Sequence, residues 1–462
     1  MSFLHPSLSI GCWCPSCHHD GSGGKLRADT PKVVVKLKGS PLISGTRYTA
    51  NGLYCGLCGD KFPVDFPDII QEAPKYDVSC ASALAIGRYG MGLPLHRIEK
   101  NQAMHEIPMP DATQWDLIDS MYPVARPVYD ALIQFGANGN LYHYDDTPNM
   151  IIDNKMKGRA THTTAFISVH EGKKIHLFFT GQHTAGKNVD DILKQRSASD
   201  SIIAMMDAST SNIPKTMTIP AGKLNQETAH EPESTIDQNT AEAIESPNQT
   251  KDSALIDETI SPMFILAFCL VHGRRKFCNI FNFFDKECTF VLEIIGKVYL
   301  HDAHCKSNQY TPEHRLAYHQ EHSGPLMQTL HTWLNNQSTY DLTENNNGFG
   351  QAVKYMLKNW TMLTAFLTIV GAPLDNNWAE RAIKIVIRHR RNSLFYKTTH
   401  GAQVGDCLMS IIYTCQQNKV NAFEYLNTIQ RNAVSVINNP ALWLPWNFKE
   451  NLLTSSELEQ VA

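Results

Sequence analysis

NLYHYDDTPNMII (residues 140–152), TTAFISVH (163–170), KIHLFFTG (174–181), AGKNVDDILKQ (185–195) and SIIAMMD (201–207) follow one another with short turns between them. The first three are strand-like runs, the fourth reads as a helix, and the fifth as a buried strand that ends in Asp207. The order strand, strand, strand, helix, strand is that of the RNase H-like fold, an α/β class in which carboxylates lie on the first strand and at the end of the fourth. Asp145 and Asp146 are neighbours on the first strand, so their side chains point to opposite faces and only one of them faces a site easily. Thr147-Pro148 is expected to end regular pairing just beyond them and to leave the acids near an edge or mouth. At the second position Asp207 competes with Asp190, Asp191 and Asp200, which all fall nearby.

A third acid comes from DNNWAERAIKIVIRHRRNSLFY, residues 375–396. On a helix, Glu380, Lys384, Arg388 and Arg391 share one side by the four-residue repeat, and Arg381 stands beside them. A lone acid leading a basic stripe suits a metal-dependent enzyme acting on a polyanion: the acid holds a cation and the stripe holds phosphates. A solvated helix with intrahelical ion pairs explains the same spacing. Phosphoryl transfer by paired metals needs two or three acidic oxygens on two cations, and Mg²⁺ prefers such hard ligands. Asp145, Asp207 and Glu380 are therefore the candidate catalytic and magnesium-binding (or manganese-binding) residues.

Further out, the N-terminal region carries CPSC (Cys14, Cys17) and CGLC (Cys55, Cys58), and between the pairs lie KVVVKLKG, an alternating strand, and RYTANGLY, a strand expected to carry the second pair. Two such pairs on hairpins predict a zinc ribbon in which four thiolates close a structural Zn²⁺ site. Cys12 is a spare ligand, and a redox pair or free thiols are the alternative. Residues 78–136 read as helices with a break at Gly92-Leu93-Pro94 and a new N-cap at Asp111-Ala112-Thr113. A helix-turn-helix and a plain helical bundle fit this stretch equally. Residues 213–262 carry no aromatic side chain, and nine acids lie between 227 and 258. Such a segment buries too little apolar surface to offset its ordering entropy, so a disordered acidic insertion is expected.

CLVHGRRKF (269–277) places His272 three residues after Cys269, with Arg274, Arg275 and Lys276 behind. One reading is a structural hydrogen-bonding pair of Cys269 and His272 that props the site while the basic cluster touches phosphate. Zinc binding with Cys278, Cys288 or Cys305 is a second, and a buried Cys beside a satisfied His at a helix start is the third.

The net charge of −4 announces no global nucleic-acid field, but the charge is uneven, basic after Glu380 and acidic in 227–258. The start, MSFLHPSLSIGCWC, has no signal-peptide pattern, and the longest apolar run, MFILAFCLV (263–271), is too short to cross a bilayer. Twelve cysteines, four of them in two tight pairs, read as zinc ligands in a reducing compartment.

Taken in order, CPSC and CGLC, RYGMGLPLHRIEKNQ (88–102), YDDTP (144–148), CLVHGRRKF, LDNNWAERAIK (374–384) and LPWNFK (444–449) resemble the bacterial DDE transposases of the insertion-sequence family numbered sixty-six (TnpC-type). The resemblance implies an RNase H-like core interrupted by a helical insertion, with Asp145 as first acid, Glu380 as third and Asp207, by position, as second. It implies DNA as partner (terminal inverted repeats and target), homo-oligomers on that DNA, accessory proteins of the same element, and a cytoplasmic, nucleoid-associated enzyme. The sequence departs from the family's pattern in DAST after Asp207, in the acidic segment, and in starting at the ribbon, where a helical region usually comes first. A copy lacking that region is therefore expected, with a DNA-binding relic and an RNase H-like nuclease as rival readings. The expected organisation is a ribbon over 1–72, a helical module over 73–137 and a first core part over 138–212. The insertion over 213–261, a strand with helical insertion over 262–364, the third-acid helix with its followers over 365–431 and a tail over 432–462 complete it.

Overall fold

The computed structural model describes residues 9–16, 24–27, 41–51, 53–54, 61–216, 264–339 and 347–452. Strands β1 (Leu53–Tyr54) and β2 (Lys61–Phe62) form a small antiparallel pair. The main sheet contains β3 (Leu141–Asn149), β4 (Thr161–His170), β5 (Lys173–Gly181), β6 (Ile202–Met206) and β7 (Phe264–Phe268), in the order β5-β4-β3-β6-β7. β3, β4 and β5 form an antiparallel meander, whereas β6 and β7 add parallel to β3. This mixed sheet is compatible with an RNase H-like core.

Helices α1 (Asp68–Gln71), α2 (Val78–Ala85), α3 (Leu95–Met104), α4 (Asp111–Asp119) and α5 (Tyr122–Ala137) precede the sheet. The short α6 (Ile152–Met156) links β3 to β4, and α7 (Ala185–Leu193) crosses from β5 to β6. After β7 come α8 (Leu270–Ile280), α9 (Asp285–Ser307), α10 (Pro312–Tyr318), α11 (Gly324–Thr339), α12 (Gly348–Lys358) and α13 (Trp360–Leu363). The chain then returns to the sheet with α14 (Asn377–Ser393) and α15 (Thr399–Gln417), followed by α16 (Ala422–Arg431) and α17 (Ala433–Asn438).

Alternation along β3 decides which helix covers which face. Tyr142, Tyr144 and Asp146 point to the face covered by α5 and α7, where Asp146 Oδ2 accepts from the Ala185 amide at 3.3 Å. His143, Asp145 and Thr147 point to the face covered by α14. The opposite orientation of the two neighbouring acids is thus as strand geometry requires.

β5 is an edge strand, and its free N–H groups are met by a helix instead of a sixth strand. Asn418, Thr414, Ser410 and Asp406, spaced by four, accept from the amides of Lys174, His176, Phe178 and Thr180, spaced by two, at 3.2, 3.0, 2.9 and 2.6 Å. Four helical residues rise ~6 Å and two strand residues ~6.8 Å, so the two ladders stay in step over these rungs. Burial pushes the Asp406 carboxyl up to about 7 even though Thr180 donates to it twice.

Three expectations need correction. Pairing does not stop at Thr147-Pro148: β3 pairs with β4 through Asn149. It is the β6 side that ends early, at His143, so the missing N–H of Pro148 breaks no rung there. The helix at 111 has Pro110 as its N-cap and Asp111 inside its first turn, not an Asp cap. Among its described residues RYTANGLY is strand only at Leu53–Tyr54. The break at Gly92-Leu93-Pro94 is present, with Gly92 at φ +79° and α3 starting just after Pro94. KVVVKLKG, Cys17, Cys55, Cys58 and residues 217–263 of the acidic segment lie outside the described residues.

The preceding turn, Ile86–Gly90, is π-helical, and it grips α14. His389 bonds the Tyr89 carbonyl at 3.0 Å, and Tyr413 of α15 donates to that of Gly90 at 3.0 Å. The helical insertion is fastened by buried Asp302, which takes Lys306 at 2.6 Å, Arg315 at 2.8 Å and His319 at 3.4 Å. Burial acts to raise this carboxyl, but His319, Arg315 and Lys306 overcome it and hold it well below the usual carboxylate range. Its contribution is present above pH ~4 and is lost as pH falls toward the folded value. Asp302→Asn is expected to lower stability by about 2 kcal/mol at pH 7, read as a shift in urea midpoint, because Arg315 keeps its burial and loses its counter-charge.

Candidate active site

The sheet brings distant residues into one row. Register pairs His143 with Met205 on β6, and Met206 with Phe268 on β7. Continued past the last paired residues, that register sets Asp145, Asp207 and Cys269 at one level on three neighbouring strands, and the charge of Asp207 is felt at Asp145. The Cys269 amide still donates to the Met206 carbonyl at 2.9 Å, so the row holds at β7. Burial, and then the charge of Asp207, push the Asp145 carboxyl up to about 7. The Asp146 amide partly offsets this by donating to Asp145 Oδ1 at 2.8 Å. Asp207 accepts from the Ser209 amide at 3.1 Å and from the Asn212 side chain.

The rivals for the second acid are occupied elsewhere. Asp190 caps a loop, taking the amides of Lys215 and Thr216 at 3.1 and 3.0 Å. Asp191 pairs with Lys187 and Lys194 at 2.9 and 2.7 Å, and Asp200 is exposed.

Glu380 reaches the Cys269 end of the row from the first turn of α14, and the donor atoms of Asp145, Asp207 and Glu380 do not all lie within 4.8 Å of one another. The anchor is Asn376, fully buried just ahead of that helix. Its side chain donates to the Tyr144 carbonyl at 2.9 Å and bonds His143 Nδ1 at 3.0 Å, while its own amide donates to Cys269 Sγ at 3.3 Å. One residue thus joins β3, the end of β7 and the start of α14, the first by its side chain and the second by its backbone amide. Burial drives the His143 ring down to about 4, so it meets Asn376 neutral. Glu380 Oε1 lies 3.9 Å from Cys269 Sγ and 3.9 Å from His272 Nδ1, and Arg275 is 3.8 Å from the other oxygen.

Asp207, His272, Arg275, Lys276 and Tyr355 line a cleft of about 320 Å³. Lys276 lies over the Tyr355 ring at 4.5 Å. Arg274, Arg381, Lys384 and Arg391 face solvent, whereas Arg388 donates to the Tyr413 hydroxyl at 3.1 Å. The basic residues at the cleft therefore come from α8, and the α14 stripe runs away from it.

Cys269 and His272 meet at Glu380, not through a bond between their side chains. Among the described residues these three form the one group of metal-competent side chains, so Cys278, Cys288 and Cys305 take no part in it. Cys14 is partly exposed; its three expected zinc partners are outside the described residues. Sequence reasoning missed Asn376 and Asn212. For Asn376 the signal was its place just before a helix in a run of three polar residues; for Asn212 there was none.

The fold and this row of acids define an α/β protein with a carboxylate site at the strand ends. A family model described as Transposase IS66 family matches residues 75–210 and 253–404, and the chain belongs to that family. Its members are transposases, DNA-processing enzymes. The chain is also similar to two proteins of Sinorhizobium fredii (strain NBRC 101917 / NGR234), described as uncharacterized proteins y4jD and y4hP. Identity is 30% over 188 residues for the first, covering 40% of this chain and 36% of the relative. It is 30% over 195 residues for the second, covering 40% and 35%. The matched part thus spans about a third of these relatives' length. No helix among the described residues is long and apolar enough to cross a membrane.

Proposed function

We propose that the chain is the transposase of an insertion sequence, cutting DNA at the element's terminal inverted repeats and joining the freed ends to target DNA. The observation that carries the reading is the row of Asp145 and Asp207, with the first carboxyl pushed up to about 7 by burial and by its neighbour. Two acids kept this close in a half-buried site fit a hard divalent cation, because only a cation lets both ionise together. Mg²⁺ or Mn²⁺ would be held by Asp145, Asp207 and Glu380, and would supply charge stabilisation to the attacking and leaving oxygens.

The chain's own residues position the DNA. Arg275 and Lys276 at the cleft hold the scissile strand's phosphates, while Arg274, Arg381, Lys384, Arg388 and Arg391 are assigned to its continuation. Water attacks the phosphodiester, the bond to the 3′ oxygen breaks, and that oxygen leaves as a 3′-hydroxyl. The hydroxyl then attacks a target phosphodiester in the same way. The RNase H-like core, the zinc ribbon on Cys14, Cys17, Cys55 and Cys58, and a helical DNA-binding module over 73–137 belong to this reading. So do assembly on DNA as a homo-oligomer, helper proteins of the same element, and a cytoplasmic, nucleoid-associated setting.

The test is incubation of the chain with duplex DNA ending in the element's inverted repeat. Cleavage at the repeat that requires Mg²⁺ and yields a 3′-hydroxyl is expected. Binding to the repeat without cleavage, independent of Mg²⁺, would make the protein a DNA-binding relic, and cutting of any branched duplex would make it a nuclease. Arg275→Ala is expected to weaken binding to all sequences alike and to reduce the slope of log affinity against log salt by about one.

A further inference from the structure

Two donors that prefer a softer cation than magnesium, a thiol and an imidazole, meet a carboxylate beside the row of acids. Cys269 lies directly after β7 and caps α8, and His272 sits in that helix's first turn. The spacing C-x-x-H across a helix start turns both donor atoms to one side. From the other direction α14 brings Glu380, so that one atom each of Cys269, His272 and Glu380 lies within 4.8 Å of the others. We propose that Cys269, His272 and Glu380 form a binding site for a soft divalent cation, zinc in preference to magnesium, with its fourth position open to the cleft.

Geometry supports it first. Tetrahedral zinc with sulfur at ~2.3 Å and nitrogen and oxygen at ~2.0–2.1 Å needs donors roughly 3.3–3.5 Å apart. The observed 3.9 Å from Glu380 to each of the other two donors closes by a few tenths of an ångström as the side chains tighten. The thiol donates only a long, weak bond to Glu380, and the His272 ring nitrogen at 3.9 Å is beyond hydrogen-bond distance of it, so the three are not locked together. Second, His272 Nδ1 is buried and has no hydrogen-bond partner, although it faces the carboxylate. A buried ring nitrogen in that position is a donor awaiting a Lewis acid. Third, access is built in. His272 lines the cleft, and Arg275, which lies 3.8 Å from the other oxygen of Glu380, is half exposed and can swing away.

The donor set decides the metal. Thiolate and imidazole favour zinc over magnesium, which takes oxygen ligands and keeps its waters. Binding displaces the Cys269 proton to solvent, so sulfur enters as thiolate. The site stands whether or not the chain cuts DNA. If it does cut, a zinc ion here takes Glu380 away from Asp145 and Asp207 and competes with the reaction.

The test counts zinc per full-length chain in excess Mg²⁺, after removal of metal and titration with zinc, for the parent, His272→Gln, Glu380→Gln and Cys269→Ser. Ions on N-terminal cysteines are common to all four and cancel. Each variant is expected to hold one zinc fewer than the parent. With Co²⁺ in place of zinc, Cys269→Ser is expected to lose part of the sulfur-to-metal charge-transfer absorption. Equal zinc content in the parent, His272→Gln and Glu380→Gln overturns the site. Those two positions are partly exposed, so the outcome does not depend on the buried Cys269→Ser variant folding.

Discussion

Asp145→Asn is expected to abolish cleavage, by at least about 10³-fold, and at the same time to make the metal-free protein more stable. The first effect follows from removing one of the acids assigned to the cation; a thousandfold is roughly 4 kcal/mol of barrier. The second follows from the carboxyl's environment. Burial and the charge of Asp207 push it up to about 7, whereas an unfolded aspartate ionises near ~4. Between these values the folded state keeps a proton that the unfolded state has released. Stability therefore falls as pH rises from ~4 to about 7 and is level above that. Asparagine carries no such charge, and its amide oxygen can still accept from the Asp146 amide. The variant's advantage is therefore absent in acid, grows across that window, and approaches an upper limit of roughly 4 kcal/mol at pH 8, less to the extent that water reaches the strand end. Thermal melts in chelator at several pH values, beside cleavage assays in Mg²⁺, read both effects. A melting difference that does not change with pH would show that the carboxyl is not held protonated, and surviving cleavage would remove Asp145 from the site.

The second large effect is expected at Asn376, which touches no DNA in this reading. Asn376→Ala leaves the Tyr144 carbonyl and His143 Nδ1 without their buried partner. Each unsatisfied group costs about 1–3 kcal/mol, so a loss of roughly 3 kcal/mol is expected in urea unfolding. Glu380 begins the same helix turn, with its amide bonded to the Asn376 carbonyl at 3.0 Å. A shift of ~1 Å in that carboxylate is enough for a ~10²-fold loss of cleavage. Binding to the inverted repeat is expected to stay within a few-fold of the parent, because the basic residues of the cleft sit on α8. A variant as stable as the parent would show that the amide does not fasten the helix.

How far the sequence could be read depended on the range over which each signal acts. The strand runs from 140 to 207 carry their own periodicity, so β3 to β6 and α7 were legible, and so was β7 from its apolar run. Glu380 was legible because its helix is long and its acid stands alone. Asp207 was named by its position at a strand end. Asp190 is set apart from it by Lys215 and Thr216, whose amides reach it only once the chain has folded. For Asp191 the signal was local, since Lys187 and Lys194 stand four and three residues from it along α7. Cys269 and His272 were legible as a motif, yet not their meeting with Glu380, which lies more than a hundred residues away. The end of pairing at Pro148 was misplaced because a proline shows only that an N–H is missing. Which neighbour would have received that N–H is a property of the assembled sheet.

The rungs that α15 lays along β5 have a consequence for the nascent chain. The β3–β4–β5 meander is synthesised more than two hundred residues before Asp406, Ser410, Thr414 and Asn418. Until these leave the ribosome, the outer amides of β5 are bare, and a bare strand edge recruits other strands. The mature protein is guarded on that flank by polar side chains of its own, whereas the half-made chain is not. Its most aggregation-prone moment comes late in translation, and it ends when the last of the four rungs docks.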